Sequence, residues 1–237
     1  MNIIVGAFYT IKRIETVVNK AKNDGKDDIK FPQMKKIHFR CMEKGEEGEA
    51  AKVIVHGFSH DFSYFCDKKE FPSLEQFFEK SLKHDEDNTK DVIVAVNKEN
   101  KEIAGICKLR DSNKLEKTLS LSETLKTLSI RTAFRMITTI LSFDEVNSQI
   151  VKDEQVVEYL TVHDNYKKQG IARNLLRYAE CMAKQRNSKK ISLVVHETNP
   201  IAVKLYESEG YVTTHLLHGL KYLTFGSKTS FKMEKAI

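Results

Sequence analysis

The chain has 237 residues, of which 41% are hydrophobic and 30% charged, with a formal net charge of +6. That composition supports a buried core and excludes an intrinsically disordered chain, while three prolines and ten glycines leave little room for long flexible linkers. The modest positive charge suits a polyanionic ligand such as a nucleotide cofactor, and equally nucleic acid or an acidic surface, so it selects no partner by itself.

The four cysteines (Cys41, Cys66, Cys107, Cys181) form no C-x-x-C pair and no zinc-type spacing with histidine, so they read as free thiols in a reducing compartment and predict a cytoplasmic protein. No metal constellation is expected. The apolar residues near the N-terminus lack a preceding basic region and a cleavage site, and no run is long enough to span a bilayer.

Residues 1–35 read as a helical extension, with Phe8, Ile11, Ile14, Val18 and Ala21 at helical spacing; docking on its own domain or on a second copy is the expected use. The remainder, 36–237, reads as one domain. Ile37 to Cys41 is a first strand and Glu46 to Val55 a helix. A loop rich in Phe58, Phe62, Tyr64 and Phe65 follows, then a helix from Ser73 to Leu82. Val92–Val96 and Ile103–Leu109 are strands joined by the turn Asn97-Lys98-Glu99-Asn100, an antiparallel hairpin. Residues 110–152 interrupt the strands as a helical insertion, with Ser129 capping a helix whose apolar positions are Ile130, Ala133, Phe134, Ile137, Ile140 and Leu141.

Val156 to Val162 is the next strand. It runs into Lys167-Lys168-Gln169-Gly170-Ile171-Ala172, which opens a helix to Arg186. A glycine turn at a helix start presents unpaired N–H groups at the positive end of the helix dipole, which suits phosphate. Gly170 lets the backbone approach closely, and Ala172 stays small for the same reason. After a strand at Ile191–Val195 comes Asn199-Pro200-Ile201-Ala202-Val203-Lys204-Leu205-Tyr206-Glu207-Ser208-Glu209-Gly210-Tyr211, a helix with Asn199 as cap and Pro200 at its first position. Strands over 211–217 and 229–233 complete an α/β chain whose hairpins make the sheet mixed.

The stretch from Leu160 to Ala172 resembles the acyl-CoA-binding motif of the GNAT superfamily of N-acetyltransferases, a strand ending L-x-V followed by [RQ]-x-x-G-x-[GA]. Residues Asn199 to Tyr211 resemble that family's N-x-x-A-x-x-L-Y-x-x-x-G-[FY] motif and match it at every defined position. Lys167 stands where the family has Arg or Gln, and Asp164 where proline is common; lysine keeps a donor but loses the planar fork.

The resemblance implies a GNAT-like, mixed, mostly antiparallel sheet flanked by helices, with the strands at 156–162 and 191–195 splayed at an acyl-CoA site. It implies acetyl-CoA as acyl donor, held by Leu160, Thr161, Val162, Lys167, Lys168, Gln169, Gly170, Ile171, Ala172, Arg173 and Asn199. It further implies Tyr206 as the acid for the departing thiolate, and backbone near Leu160 and Val162 polarising the thioester.

Two readings stand for several of these side chains. Tyr206 is either that acid or a core tyrosine. Asn199 is either a helix cap alone or also a pantetheine contact. Glu158, which simple alternation places on one apolar face with Val156, Leu160 and Val162, is either a desolvated base or a rim carboxylate.

The function so implied is acetyl transfer from acetyl-CoA to a primary amine, of a small molecule or a peptide, by direct attack in a ternary complex. No nucleic-acid or membrane partner is expected, and a homodimer through the added helices fits the layout. The alternative is a non-catalytic acyl-CoA-binding sensor or interaction module.

Overall fold

Each run read above as a strand falls on a strand of the computed structural model. The model describes residues 31–64, 66–84, 88–112, 119–142, 151–218 and 229–237, with main chain alone at 88, 137–142 and 218. The strands are β1 (Ile37–Cys41), β2 (Val92–Asn97), β3 (Ile103–Asp111), β4 (Glu154–Val162), β5 (Lys190–His196), β6 (Val212–His218) and β7 (Thr229–Ala236). The main helices are α1 (Glu47–Gly57), α2 (Phe71–His84), α3 (Leu121–Thr127), α4 (Ile130–Ser142), α5 (Ile171–Gln185) and α6 (Pro200–Ser208). Short helical turns at Ser59–Phe62, Lys68–Glu70, Asn88–Asp91 and Asp164–Tyr166 join them.

The strands form one seven-stranded sheet in the order β1-β2-β3-β4-β5-β7-β6. Every neighbouring pair is antiparallel except β4 and β5. Those two are the strands joined by a long helical crossover through α5, the connection that parallel pairing requires. The sheet is therefore mixed and mostly antiparallel, with helices on its faces, as expected from the sequence.

One face is sealed by α5. Leu175, Leu176, Ala179 and Ala183 are fully buried on its inner stripe, against Ala95, Ala104, Cys107, Leu109 and Leu193. Burying a leucine of this kind is worth about 1.5–3 kcal/mol, so this stripe fixes the helix on the sheet. The opposite face is covered by α1, where Ala50, Val53 and Ile54 pack on Val92, Val94 and Ile106. A smaller cluster joins Val55 to Phe62, Phe71 and Leu74.

At the base of the β4–β5 pair lies a buried polar network. Glu154, fully buried, accepts from the Ser192 hydroxyl and from the Val151 N–H at 2.9 Å. Lys190 and Lys232 stand 3.4 and 3.8 Å from its carboxylate, and Lys232 also reaches Glu234 at 2.9 Å. Buried charges persist only when paired in this way. The network ties β4, β5 and β7 together just below the point where β4 and β5 part.

The insertion holds two helices where the apolar pattern predicts one. Ser120 and Glu123 form a reciprocal capping box that starts α3, an S-x-x-E signature present in the sequence. Ser129 does cap α4, with Thr132 N–H on its hydroxyl at 3.3 Å. On α4, Ala133 is buried but Ile130 and Phe134 are 80% and 67% exposed, so this part of the apolar stripe does not face the core. The helix expected near the N-terminus, and Phe65 of the aromatic loop, lie outside the described residues. All four cysteines are free, Cys66 and Cys107 buried and Cys41 and Cys181 half-buried. Among the described residues no helix is long and apolar enough to cross a membrane.

Candidate active site

The site begins with a fork between two strands. β4 and β5 pair from Glu154↔Lys190 to Val157↔Leu193 and no further, although β4 runs on to Val162 and β5 to His196. On its other edge β4 stays paired with β3 as far as Gly105↔Val162. The main chain from Glu158 onward therefore has one edge without a strand partner among the described residues.

A β-bulge opens the fork. Lys108 pairs with Tyr159 and Leu109 with Val157, which leaves Glu158 as the extra residue. Glu158 is exposed as a residue, yet its side chain keeps only 21% exposure, so much of what it shows to solvent is main chain.

The bulge also corrects the expected orientation of Glu158. Val157, Leu160 and Val162 all join the core on the α5 side. Alternation is reset between them, and Glu158 meets side chains of the opposite face. Its carboxylate lies 2.7 Å from Lys108 Nζ and 3.4 Å from Arg110 Nε. It is thus no lone carboxylate among apolar side chains, and the desolvation argument for it lapses. Lys108 and Arg110 escaped the sequence reading, although the signal was there: two cations at i, i+2 in an otherwise apolar strand must share one face.

Above the fork, the glycine turn has the form the sequence suggests. After the helical turn Asp164–Tyr166, Lys168 takes φ +61° and Gly170 φ +81°, and α5 starts at Ile171. No side chain among the described residues caps this helix, and its first internal bond runs from Asn174 N–H to the Gly170 carbonyl at 3.1 Å. The N–H groups of Ile171, Ala172 and Arg173 therefore have no carbonyl one turn back within the helix. Ile171 is buried and locks the helix start to the core, while residues 167–170 are exposed. Such a cradle fits a diphosphate, because several main-chain donors and the helix dipole converge on one place.

The side chains around the cradle are already engaged. Lys167 Nζ lies 2.5 Å from Asp164, so the two positions that depart from the family motif are paired with each other. Hydrogen bonding to Lys167 holds the Asp164 carboxyl below its ordinary range. Gln169 donates to the Asn165 carbonyl at 3.3 Å. The Arg173 guanidinium reaches Glu209 at 2.8 Å and Ser208 at 3.1 Å, which joins α5 to the end of α6. Lys168 is exposed.

Beside the fork, α6 carries Tyr206 in its last turn. Tyr206 is 8% exposed and packs in the core with Tyr211, their ring centres 6.0 Å apart. Burial, and secondarily Cys107 nearby, raises its phenol above the ordinary value, so it stays protonated. Asn199 caps α6 with its side-chain oxygen on the Ala202 N–H at 3.1 Å, which establishes the capping role. Thr161 turns away from the α5 core toward Gly57 of α1, while Leu160 packs at the margin of that core.

His196 at the end of β5 holds Ser230 with Nδ1 at 2.8 Å. Phe58 and Phe62 pack in the second-face clusters, which supports a core role for these two aromatics. No group of three or more metal-ligating side chains occurs among the described residues.

Comparison with known proteins agrees with this geometry. The model of the acetyltransferase (GNAT) family matches residues 54–211. PaiA N-acetyltransferase from Thermoplasma acidophilum, solved in complex with coenzyme A, superposes with a TM-score of 0.53 at 15% identity, over 85% of this chain and 99% of that one. The ribosomal-protein-S18-alanine N-acetyltransferase of Escherichia coli gives 0.53 at 16% identity, over 85% and 94%. A mosquito arylalkylamine N-acetyltransferase-like protein gives 0.54 at 16%, over 85% and 100%. At these identities the structures attest the fold alone, and no curated protein sequence matches the chain. The family model spans the fork, the glycine turn and the Tyr206 helix together, and the chain belongs to the GNAT acetyltransferase family.

Proposed function

We propose that the protein is an N-acetyltransferase that moves an acetyl group from acetyl-CoA to a primary amine in a ternary complex. The observation that carries this reading is the fork: β4 and β5 stop pairing at Val157↔Leu193, and from Glu158 to Val162 one main-chain edge of β4 has no strand partner among the described residues. Relatives of the same fold include one solved with coenzyme A and one that acetylates the alanine of a ribosomal protein, which supports a thioester donor and an amine acceptor, small or peptidic.

Acetyl-CoA supplies an acetyl carbon activated by its thioester. The turn from Lys167 to Ala172 and the N–H groups opening α5 bind the diphosphate, with Lys168 exposed beside them and Lys167 and Arg173 bracing the turn through Asp164 and Glu209. Leu160, Thr161 and Val162 present the open edge of β4 to the pantetheine arm, which Asn199 meets from the start of α6. Main chain near Val162 donates to the carbonyl oxygen as negative charge develops there.

In the transfer a C–N bond forms as the C–S bond breaks. Glu158, directly or through a water, takes the proton lost by the amine nitrogen. Its ion pairs with Lys108 and Arg110 set its position on the face of the sheet away from α5. Tyr206, kept protonated by burial, gives its proton to the departing thiolate.

The test is release of free thiol from acetyl-CoA across a panel of amines and peptides. Tyr206→Phe is expected to lower turnover by about a hundredfold while CoA affinity stays within about twofold. Equal loss of both would return Tyr206 to core packing. Absence of saturable acetyl-CoA binding together with absence of thiol release would reject the reading as a whole.

A further inference from the structure

The glycine turn contains an energetic problem. Lys168 holds φ +61°, a left-handed conformation that costs a non-glycine residue on the order of 1–3 kcal/mol and persists only where the surroundings over-determine it. Two residues upstream is a cluster that no cofactor contact explains. The Tyr166 hydroxyl donates to Glu102 at 2.7 Å and accepts from the Asn97 and Asn100 side-chain amides at 3.1 Å each. One donor and two acceptor sites are all a phenol has, and all three are used.

The orientation of both amides is fixed independently. Asn97 accepts the Glu99 N–H on its side-chain oxygen at 2.9 Å, and Asn100 accepts the Glu102 N–H likewise at 3.2 Å. Their NH2 groups must then face the phenol, so the phenol must spend its proton on the carboxylate. The β2–β3 turn that carries this cluster is itself anchored, because Glu49 of α1 accepts the Ile103 N–H at 2.6 Å.

We propose that Tyr166 is a positioning residue: it clasps the segment entering the glycine turn to the β2–β3 hairpin and so pre-forms the diphosphate cradle at 167–170. This rests on the reading of that cradle as a diphosphate site. The anchor lies far along the chain, and Tyr166 is the handle by which the rigid sheet holds the turn. Without the clasp the competent conformation is one of several, and apparent affinity falls by the fraction of molecules that hold it.

The experiment is titration of coenzyme A into the full chain, with amide order parameters measured at 168–170. Tyr166→Phe is expected to weaken coenzyme A about tenfold, equivalent to about 1.4 kcal/mol, with the melting temperature within about 2 °C of wild type. Order parameters at 168–170 should drop from about 0.85 toward about 0.6. Glu102→Gln keeps an acceptor for the phenol and should bind within about threefold of wild type, whereas Glu102→Ala should match Tyr166→Phe. Unchanged affinity in both Tyr166→Phe and Glu102→Ala overturns the clasp. Should wild type fail to bind coenzyme A, the diphosphate reading falls instead, and the order parameters alone decide the clasp: loss of rigidity in Tyr166→Phe upholds it, and unchanged rigidity overturns it.

Discussion

Gly57→Ala tests how α1 and β4 are fitted together. Gly57 ends α1 against β4, and a Cβ placed there would stand 1.9 Å from Thr161 Oγ1, 2.8 Å from its Cβ and 2.9 Å from its Cγ2. Favourable carbon contacts begin at about 3.5 Å, so the shortfall is about 1.6 Å at the nearest atom and about 0.7 Å at the Thr161 Cβ. Rotating the threonine relieves the first but not the second, because the Thr161 Cβ is fixed by the strand. Overpacking of this kind costs about 1–3 kcal/mol, and about 2 kcal/mol corresponds to a fall of about 4–8 °C in melting temperature for a domain of this size.

Thermal denaturation of Gly57→Ala, Thr161→Ala and the double variant forms a cycle. Thr161→Ala removes Oγ1 and Cγ2 and should recover about half the loss, so the two effects should fall short of additive by about 1 kcal/mol. Because Thr161 lies on the β4 segment whose other edge opens at the fork, the single variant should also weaken acetyl-CoA binding. Wild-type stability in Gly57→Ala, or strict additivity in the cycle, would refute the claim that this contact sets the spacing of α1 and β4.

Two further outcomes follow from local geometry. Gly170→Ala meets no steric obstacle, since the nearest atom to its Cβ is Asn174 Nδ2 at 3.9 Å, but φ +81° should cost about 1–2 kcal/mol in a urea melt and weaken coenzyme A in titration; wild-type behaviour would mean that the turn tolerates an L residue. Glu46 is held below its ordinary carboxyl range chiefly by hydrogen bonds to Arg40 at 2.6 and 2.8 Å, against the opposing effect of burial. A depressed folded-state pKa gives stability that is present above the unfolded value and lost as pH falls through the folded one. Unfolding free energy measured between pH 6 and pH 3 should therefore fall less steeply in Glu46→Gln than in wild type, and parallel profiles would remove Glu46 from the acid response.

Local sequence rules determined most of the framework. Alternating and continuous apolar runs placed the strands, because side-chain direction repeats every two residues and burial is nearly all-or-none along such runs. Asn199-Pro200 and the Gly170 turn set the starts of α6 and α5, because capping and left-handed backbone are decided within a few residues. The two motifs, read together, named the family that the fold bears out. At Glu158 the same rules failed. Period-two alternation assumes a regular ladder, and one extra residue opposite Leu109 turned this carboxylate to the face where Lys108 and Arg110 meet it.

The exposure of Ile130 and Phe134 on α4 was equally beyond an apolar pattern, which states that a helix has a stripe but not what lies against it. So were the clasp of Tyr166 on Glu102 and the contact of Gly57 with Thr161, each made between residues more than sixty positions apart. Sequence by itself settled which residues form strands, caps and the glycine turn, since those depend on neighbours along the chain. Only the tertiary structure decided which side chains share a face, which charges pair, and where β4 leaves β5, because those are fixed by register and packing between segments far apart in sequence.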